Sequence, residues 1–220
     1  MKSAHATRAS ECRIRAVFFD FDGVLTRDKT GSITTLRYLS KTTGIEFGRL
    51  HDAFREHNEA LNLGRTTHRA IWPVVCDRLN FPMDMTLLSA AFESTPFNAG
   101  MLRLARNLRR NHSVGIITDN KKDRIDHLKA YAGLSAIFDP IVVSAEVGCD
   151  KKSLRIFERA LNLVAAAPEE SIFIDNTASN LAAPEALRMN TIYFDDEKND
   201  LLELAATLRE TFGLDTADDA

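Results

Sequence analysis

Five continuous apolar runs, at 15–19, 113–118, 140–144, 171–175 and 191–194, constrain this chain more than any other feature. A strand with one face in water alternates apolar and polar residues. An unbroken run is the pattern of a strand buried on both faces, as in a parallel sheet. The stretches between the runs carry helical stripes. Met101, Leu102, Leu104, Ala105 and Leu108 recur at helical spacing, as do Leu154, Phe157, Leu161 and Val164. Leu201, Leu204, Ala205, Leu208 and Phe212 mark a closing helix. Strands alternating with helices predict an α/β core with a doubly wound, parallel, Rossmann-like sheet.

One segment breaks the alternation. From about 33 to 94 there is no strand-like run, but there are four amphipathic helices. Leu36 and Leu39 mark the first, Leu50 and Phe54 the second, and Ile71, Trp72, Val75 and Leu79 the third. The fourth follows Asp84 as N-cap and carries Leu87, Leu88 and Ala91. Four helices between the first strand and the rest read as an inserted helical cap. The expected division is a disordered tail at 1–12, an α/β core at 13–30 and 95–220, and a cap at 31–94. Pro73 and Pro184 fall inside helical patterns and predict a kink or a late helix start.

A net charge of −3 argues against a general nucleic-acid or membrane-surface role, which needs a basic face. No apolar run approaches the roughly 20 residues of a membrane span, and residues 1–11 lack the apolar core of a signal peptide. Cys12, Cys76 and Cys149 have no metal-ligand spacing and fit reduced thiols in the cytoplasm, the expected location.

The first strand runs straight into Asp20-Phe21-Asp22-Gly23. Burying paired acids without partners is costly. At the carboxyl end of a parallel strand, the usual use for such a pair is a ligand site. Alternate residues on extended backbone point the same way, so Asp20 and Asp22 converge on one small object. A hard cation and a phosphate both fit.

With Val24-Leu25-Thr26 following, this stretch resembles the first motif of the haloacid dehalogenase-like hydrolases. Three further motifs follow in order. Val114 to Thr118 is an apolar strand ending in Thr, Lys151 precedes Ile156-Phe157, and Ser171 to Asp175 ends in acid with Asn176 and Asn180 behind it. The resemblance spans about 15–194 and implies a helical cap closing over the active site. It also implies a Mg²⁺-dependent phosphatase acting on a small phosphorylated metabolite.

The roles implied are specific. Asp20 is the nucleophile, forming an aspartyl-phosphate, and Asp22 exchanges protons with the leaving group and then with water. Thr118, through its hydroxyl, and Asp119, through its backbone N–H, bind phosphate oxygens with Gly23 and Lys151. Asp119 stands where relatives commonly have Asn, and Asn120 is read as a helix N-cap. The spacing to Ile156-Phe157 favours Lys151 over Lys152 as the phosphate-neutralising cation. Mg²⁺ would be held by Asp20, the main-chain carbonyl of Asp22 and the Asp175–Asn176 turn, where Asn176 replaces a second acid. Arg65 lies where the specificity segment of a cap should face the core. His51, His57 and His68 read as surface groups or substrate contacts. A phosphomutase of the same fold is the main alternative, and a non-catalytic regulatory protein with a degenerate metal site is a second. Asp22 disfavours a dehalogenase.

Overall fold

The computed structural model describes residues 13–216. Five parallel strands, β1 (Ala16–Phe19), β2 (Ser113–Thr118), β3 (Ile141–Val143), β4 (Ser171–Asp175) and β5 (Asn190–Tyr193), form one sheet in the order β3-β2-β1-β4-β5. The five apolar runs are these five strands, shifted by a residue at some ends. The side chains of β1 divide between the two faces, as a period of two demands. Val17 and Phe19 join one apolar cluster, Ala16 and Phe18 the other.

Between β1 and β2 lie α1 (Gly31–Thr43), α2 (Phe47–Arg55), α3 (Asn58–Asn62), α4 (His68–Leu79) and α5 (Thr86–Glu93), then α6 (Ala99–Leu108). After β2 come α7 (Lys122–Ala132), α8 (Ser144–Val147), α9 (Leu154–Val164), α10 (Ala182–Ala186) and α11 (Leu201–Phe212). Helices α6, α7 and α11 cover the sheet face of Val17 and Phe19, while α9 covers the other. The inserted helices are not a separate ball: Leu36, Leu50, Trp72 and Phe92 belong to the same apolar cluster as Val17 and Phe19.

Five helices stand where the sequence pattern predicts four. The additional one, α3, buries only Leu61 and so has no apolar stripe to announce it. Helix α5 starts at Thr86, with Asp84 Oδ1 accepting from both its N–H and its hydroxyl at 2.8 Å. Helix α4 starts at His68 and passes through Pro73, whereas α10 starts late, two residues before Pro184. The chain leaves the core and returns to it side by side, since Thr26 and Phe97 face each other across an isolated antiparallel bridge. Asn98 locks that junction, its N–H donating to the Leu25 carbonyl at 2.9 Å and its side chain accepting from Met101 to cap α6. Among the described residues no helix is long and apolar enough to cross a membrane. The predicted tail at 1–12, and Cys12 with it, lies outside the described residues.

Candidate active site

Register sets the site. Phe19, the last residue of β1, lies opposite both Ile116 on β2 and Ile174 on β4, which run on by two residues and by one, so the three strands end within two residues of one another. Asp20, Thr118 and Asp175 therefore emerge together. They do so at the reversal of strand order between β1 and β4, where an open α/β sheet forms its crevice. A cleft of about 480 Å³ opens there. Asp20, Asp22, Thr118, Asp119, Lys151 and Asn176 line it from the sheet side; Thr30, Ser32, Phe47, His51, Asn58 and Asn62 line it from the inserted helices.

Lys151 is the electrostatic hub. Its buried Nζ lies 2.8 Å from Asp20 Oδ1 and 2.7 Å from Asp175 Oδ2. Burial alone would lower the ammonium's pKa, but Asp20, Asp175 and Asp119 around it drive it above the ordinary lysine range. Burial pushes the Asp20 carboxyl up to about 7, against the pull of Lys151 and helped by Asp175. Asp175 has no free oxygen. Oδ1 accepts from the Thr177 N–H at 2.7 Å, and Oδ2 from Lys151, while Asn180 donates to both. Lys152, the competing lysine, is exposed.

The turn after β1 brings Asn176 against Gly23. Gly23 has φ +83°, and a Cβ there would meet the Asn176 amide nitrogen at 2.1 Å. That nitrogen is buried with no hydrogen-bond partner. Among the described residues no group of three or more His, Cys, Asp or Glu is placed to hold a metal ion. The oxygen-bearing side chains that do line the cleft there are Asp20, Asp22 and Asn176. The two ends of a carboxamide are nearly isosteric. Turned over, Asn176 sets its oxygen against Gly23, and with Asp20 and Asp22 on the same cleft such oxygen donors fit Mg²⁺, which keeps several waters. Gly23 is not among the cleft-lining residues, and its N–H is taken by Thr26 Oγ1 at 3.2 Å. Its contribution is the turn rather than contact with substrate.

Asp22 is held by a residue that the sequence pattern does not flag. Arg124, 1% exposed, forks onto its carboxylate with Nη1–Oδ2 at 2.8 Å and Nη2–Oδ1 at 2.9 Å. The guanidinium also lies 5.4 Å from the Phe21 ring centroid and reaches Thr95 Oγ1 at 3.4 Å. α1 opens on glycine to make room: a Cβ on Gly31 would sit 2.2 Å from Arg124 Cζ. Arg124 thus touches both connections to the inserted helices as well as Asp22.

Asn120 is not the N-cap of α7, which Lys121 precedes without a side-chain cap. Its amide donates to Asp22 Oδ2 at 2.8 Å and to Thr118 Oγ1 at 3.4 Å, while its oxygen accepts from Arg124. Asp119 accepts the Lys151 N–H at 2.9 Å, which anchors the lysine loop. Burial raises its pKa, opposed by the charge and N–H of Lys151. Arg65 does not reach the cleft. Gly64 turns the chain at φ +67° hard against the Ala145 carbonyl, and Arg65 pairs with Glu59 at the surface at 3.3 Å. His51 lines the cleft. His68 is neither a surface group nor a cleft contact: it is buried, with Nδ1 donating to Asp123 at 2.8 Å. Although burial opposes it, that bond and the His68 charge hold Asp123 below the usual carboxylate range.

The profile of the haloacid dehalogenase-like hydrolase family matches residues 14–188. The chain belongs to that family. It is 27% identical over 214 residues to rat (Rattus norvegicus) bifunctional epoxide hydrolase 2, an alignment covering 87% of this chain and 38% of the relative. The chain thus spans under two-fifths of that relative's length. Among solved structures, a family enzyme of Bacteroides thetaiotaomicron in complex with magnesium and inorganic phosphate superposes with TM-score 0.67 at 18% identity, covering 82% of this chain and 93% of that one. The L-2-haloacid dehalogenase PA0810 superposes with TM-score 0.63 at 16% identity, covering 82% and 80% respectively. These likenesses are of fold.

Proposed function

We propose that this chain is a Mg²⁺-dependent phosphatase that hydrolyses a small phosphorylated metabolite through an aspartyl-phosphate on Asp20, with residues 31–94 as its cap. The observation that carries this reading is the pair of carboxylates at the cleft. Asp20 sits against buried Lys151, and Asp22, two residues on, is oriented separately by Arg124. A dehalogenase has no leaving oxygen to protonate, so it has no use for Asp22.

In the first step an Asp20 oxygen attacks phosphorus and the bond to the leaving oxygen breaks. Asp22, protonated for that step, gives its proton to that oxygen. In the second, water attacks the same phosphorus, Asp22 takes the water's proton and the Asp20–phosphorus bond breaks. At rest both Asp22 oxygens accept from Arg124, which orients the carboxyl at the edge of the cleft. Lys151 stabilises charge on the phosphoryl oxygens, and Thr118 and the Asp119 N–H bind them. Mg²⁺, held by Asp20, the Asp22 carbonyl and Asn176, would neutralise phosphate charge, with Asp175 kept for Lys151. The test is phosphate release from a panel of phosphorylated metabolites with and without Mg²⁺, with acid quench to trap phosphate on Asp20. Absence of release across the panel would overturn the reading.

A further inference from the structure

Three buried cations stand at this site, and two have contact anions. Lys151 has Asp20 and Asp175, and Arg124 has Asp22. The third, Lys121, is 8% exposed and donates only to Ser32 Oγ, at 3.0 Å. Asp22 and Asp123 are near enough to favour its charge, yet neither lies within ion-pair distance. A buried ammonium with a serine as sole partner is an expensive way to satisfy a hydroxyl. Burial, with Arg124 adding to it, pulls the amine down to about 8. Lys121 also lines the 480 Å³ cleft, which Ser32 and Asn58 border beside it. Ser32 Oγ accepts from Lys121 and donates to Asn58 Oδ1 at 3.4 Å, a long bond that the hydroxyl gives up when it turns to donate to an anion. The sheet side of the cleft handles the transferring phosphate, and none of these groups is used there.

We propose that Lys121 and Ser32 receive a second anionic group of the substrate, so that the molecule cleaved at Asp20 is a phosphomonoester that also bears a carboxylate or another phosphate. The assignment rests on the phosphatase reading of the Asp20 site for its reaction, but the anion site can be measured without turnover. A charge-assisted bond to a substrate anion would supply Lys121 with the counter-ion the fold withholds.

The experiment is calorimetry in the presence of Mg²⁺ with three non-hydrolysable probes: 3-phosphonopropionate, its carboxylate methyl ester, and propane-1,3-bisphosphonate. The wild type should bind one or both of the probes that carry a second anionic group at least about tenfold more tightly than the ester. Lys121→Met should erase that preference while leaving ester binding within about threefold, and Lys121→Gln provides the same comparison if the Met variant fails to fold. Preference for the propionate marks a carboxylate, and preference for the bisphosphonate a second phosphate. Equal binding of all three probes by the wild type overturns the proposal, as does an equal loss of all three in a folded Lys121 variant. Phosphate release from monoesters is measured in parallel. Turnover without a preference for a second anion removes the Lys121 site and leaves the phosphatase. A Lys121-dependent preference without any turnover does the reverse.

Discussion

Replacing Asp22 by Asn keeps volume and removes one charge, and the structure predicts that stability suffers more than from the opposite deletion. Asp22 is the contact anion of Arg124 and, ahead of Asp123, the carboxylate that most favours the charge on Lys121. The Asn amide oxygen can still accept one N–H, but a guanidinium 1% exposed is then left with no counter-charge, only that oxygen, Asn120 Oδ1 at 3.1 Å, Thr95 Oγ1 at 3.4 Å and the face of Phe21. Its Nε already lacks a partner. Breaking a buried ion pair from one side costs about 3–5 kcal/mol, because the surviving charge stays desolvated. Arg124→Met leaves the other survivor. Asp22 borders the cleft, can hydrate there, and keeps the Asn120 amide at 2.8 Å, so the loss should be only about 1–3 kcal/mol. The double variant removes both charges and should be more stable than Asp22→Asn alone. Urea denaturation of the four proteins measures this directly. Thermal melts should put Asp22→Asn about 6–20 °C below wild type, at about 2–4 °C per kcal/mol for a chain of this size. Asp22→Asn within about 1 kcal/mol of wild type, or a double variant equal to the sum of the singles, would refute the reasoning.

Three further outcomes are expected. Asp20→Asn should abolish phosphate release yet fold, since Lys151 keeps Asp175 at 2.7 Å; turnover within about tenfold of wild type would remove Asp20 as nucleophile. The folded pKa of Lys121, about 8, lies below its unfolded value of 10.5. Between those values the unfolded chain holds a proton that the folded one has released, so this residue makes stability rise with pH there. Lys121→Met should lack that rise, and parallel pH–stability curves for the two proteins would count against it; Arg124, Asp22 and Asp123, which also face the amine, are common to both. Asn176→Asp should tighten Mg²⁺ by a few-fold to about tenfold, roughly 1 kcal/mol, read by metal titration of thermal shift. Unchanged or weaker affinity would mean that residue 176 does not face the ion.

The strands and the motif residues were legible because each obeys a local rule. Apolar runs marked β1 to β5, and acids, Thr and Lys at strand or helix ends marked the cleft. What was not legible is the polar framework that sits on apolar stripes. Lys121, Arg124, Ile125 and Leu128 occupy i, i+3, i+4 and i+7, the buried stripe of α7, with two cations as its first members. His68 stands in the same relation to Ile71, Trp72, Val75 and Leu79 on α4. Read singly, each looks like a solvated side chain at a helix start. Read by position, each is a charged or titratable group that the fold must bury, and such a group needs a partner supplied from elsewhere. Arg124 finds Asp22, and His68 finds Asp123. Arg65 is the converse: it looked functional because it lies where the specificity segment of a cap should face the core, but it is on no stripe, and the structure leaves it at the surface with Glu59. Among the polar residues of the helices, position on the stripe, more than residue type, separates those the fold buries from those that merely face water, and it leaves Lys121 as the buried cation whose anion the chain does not itself provide.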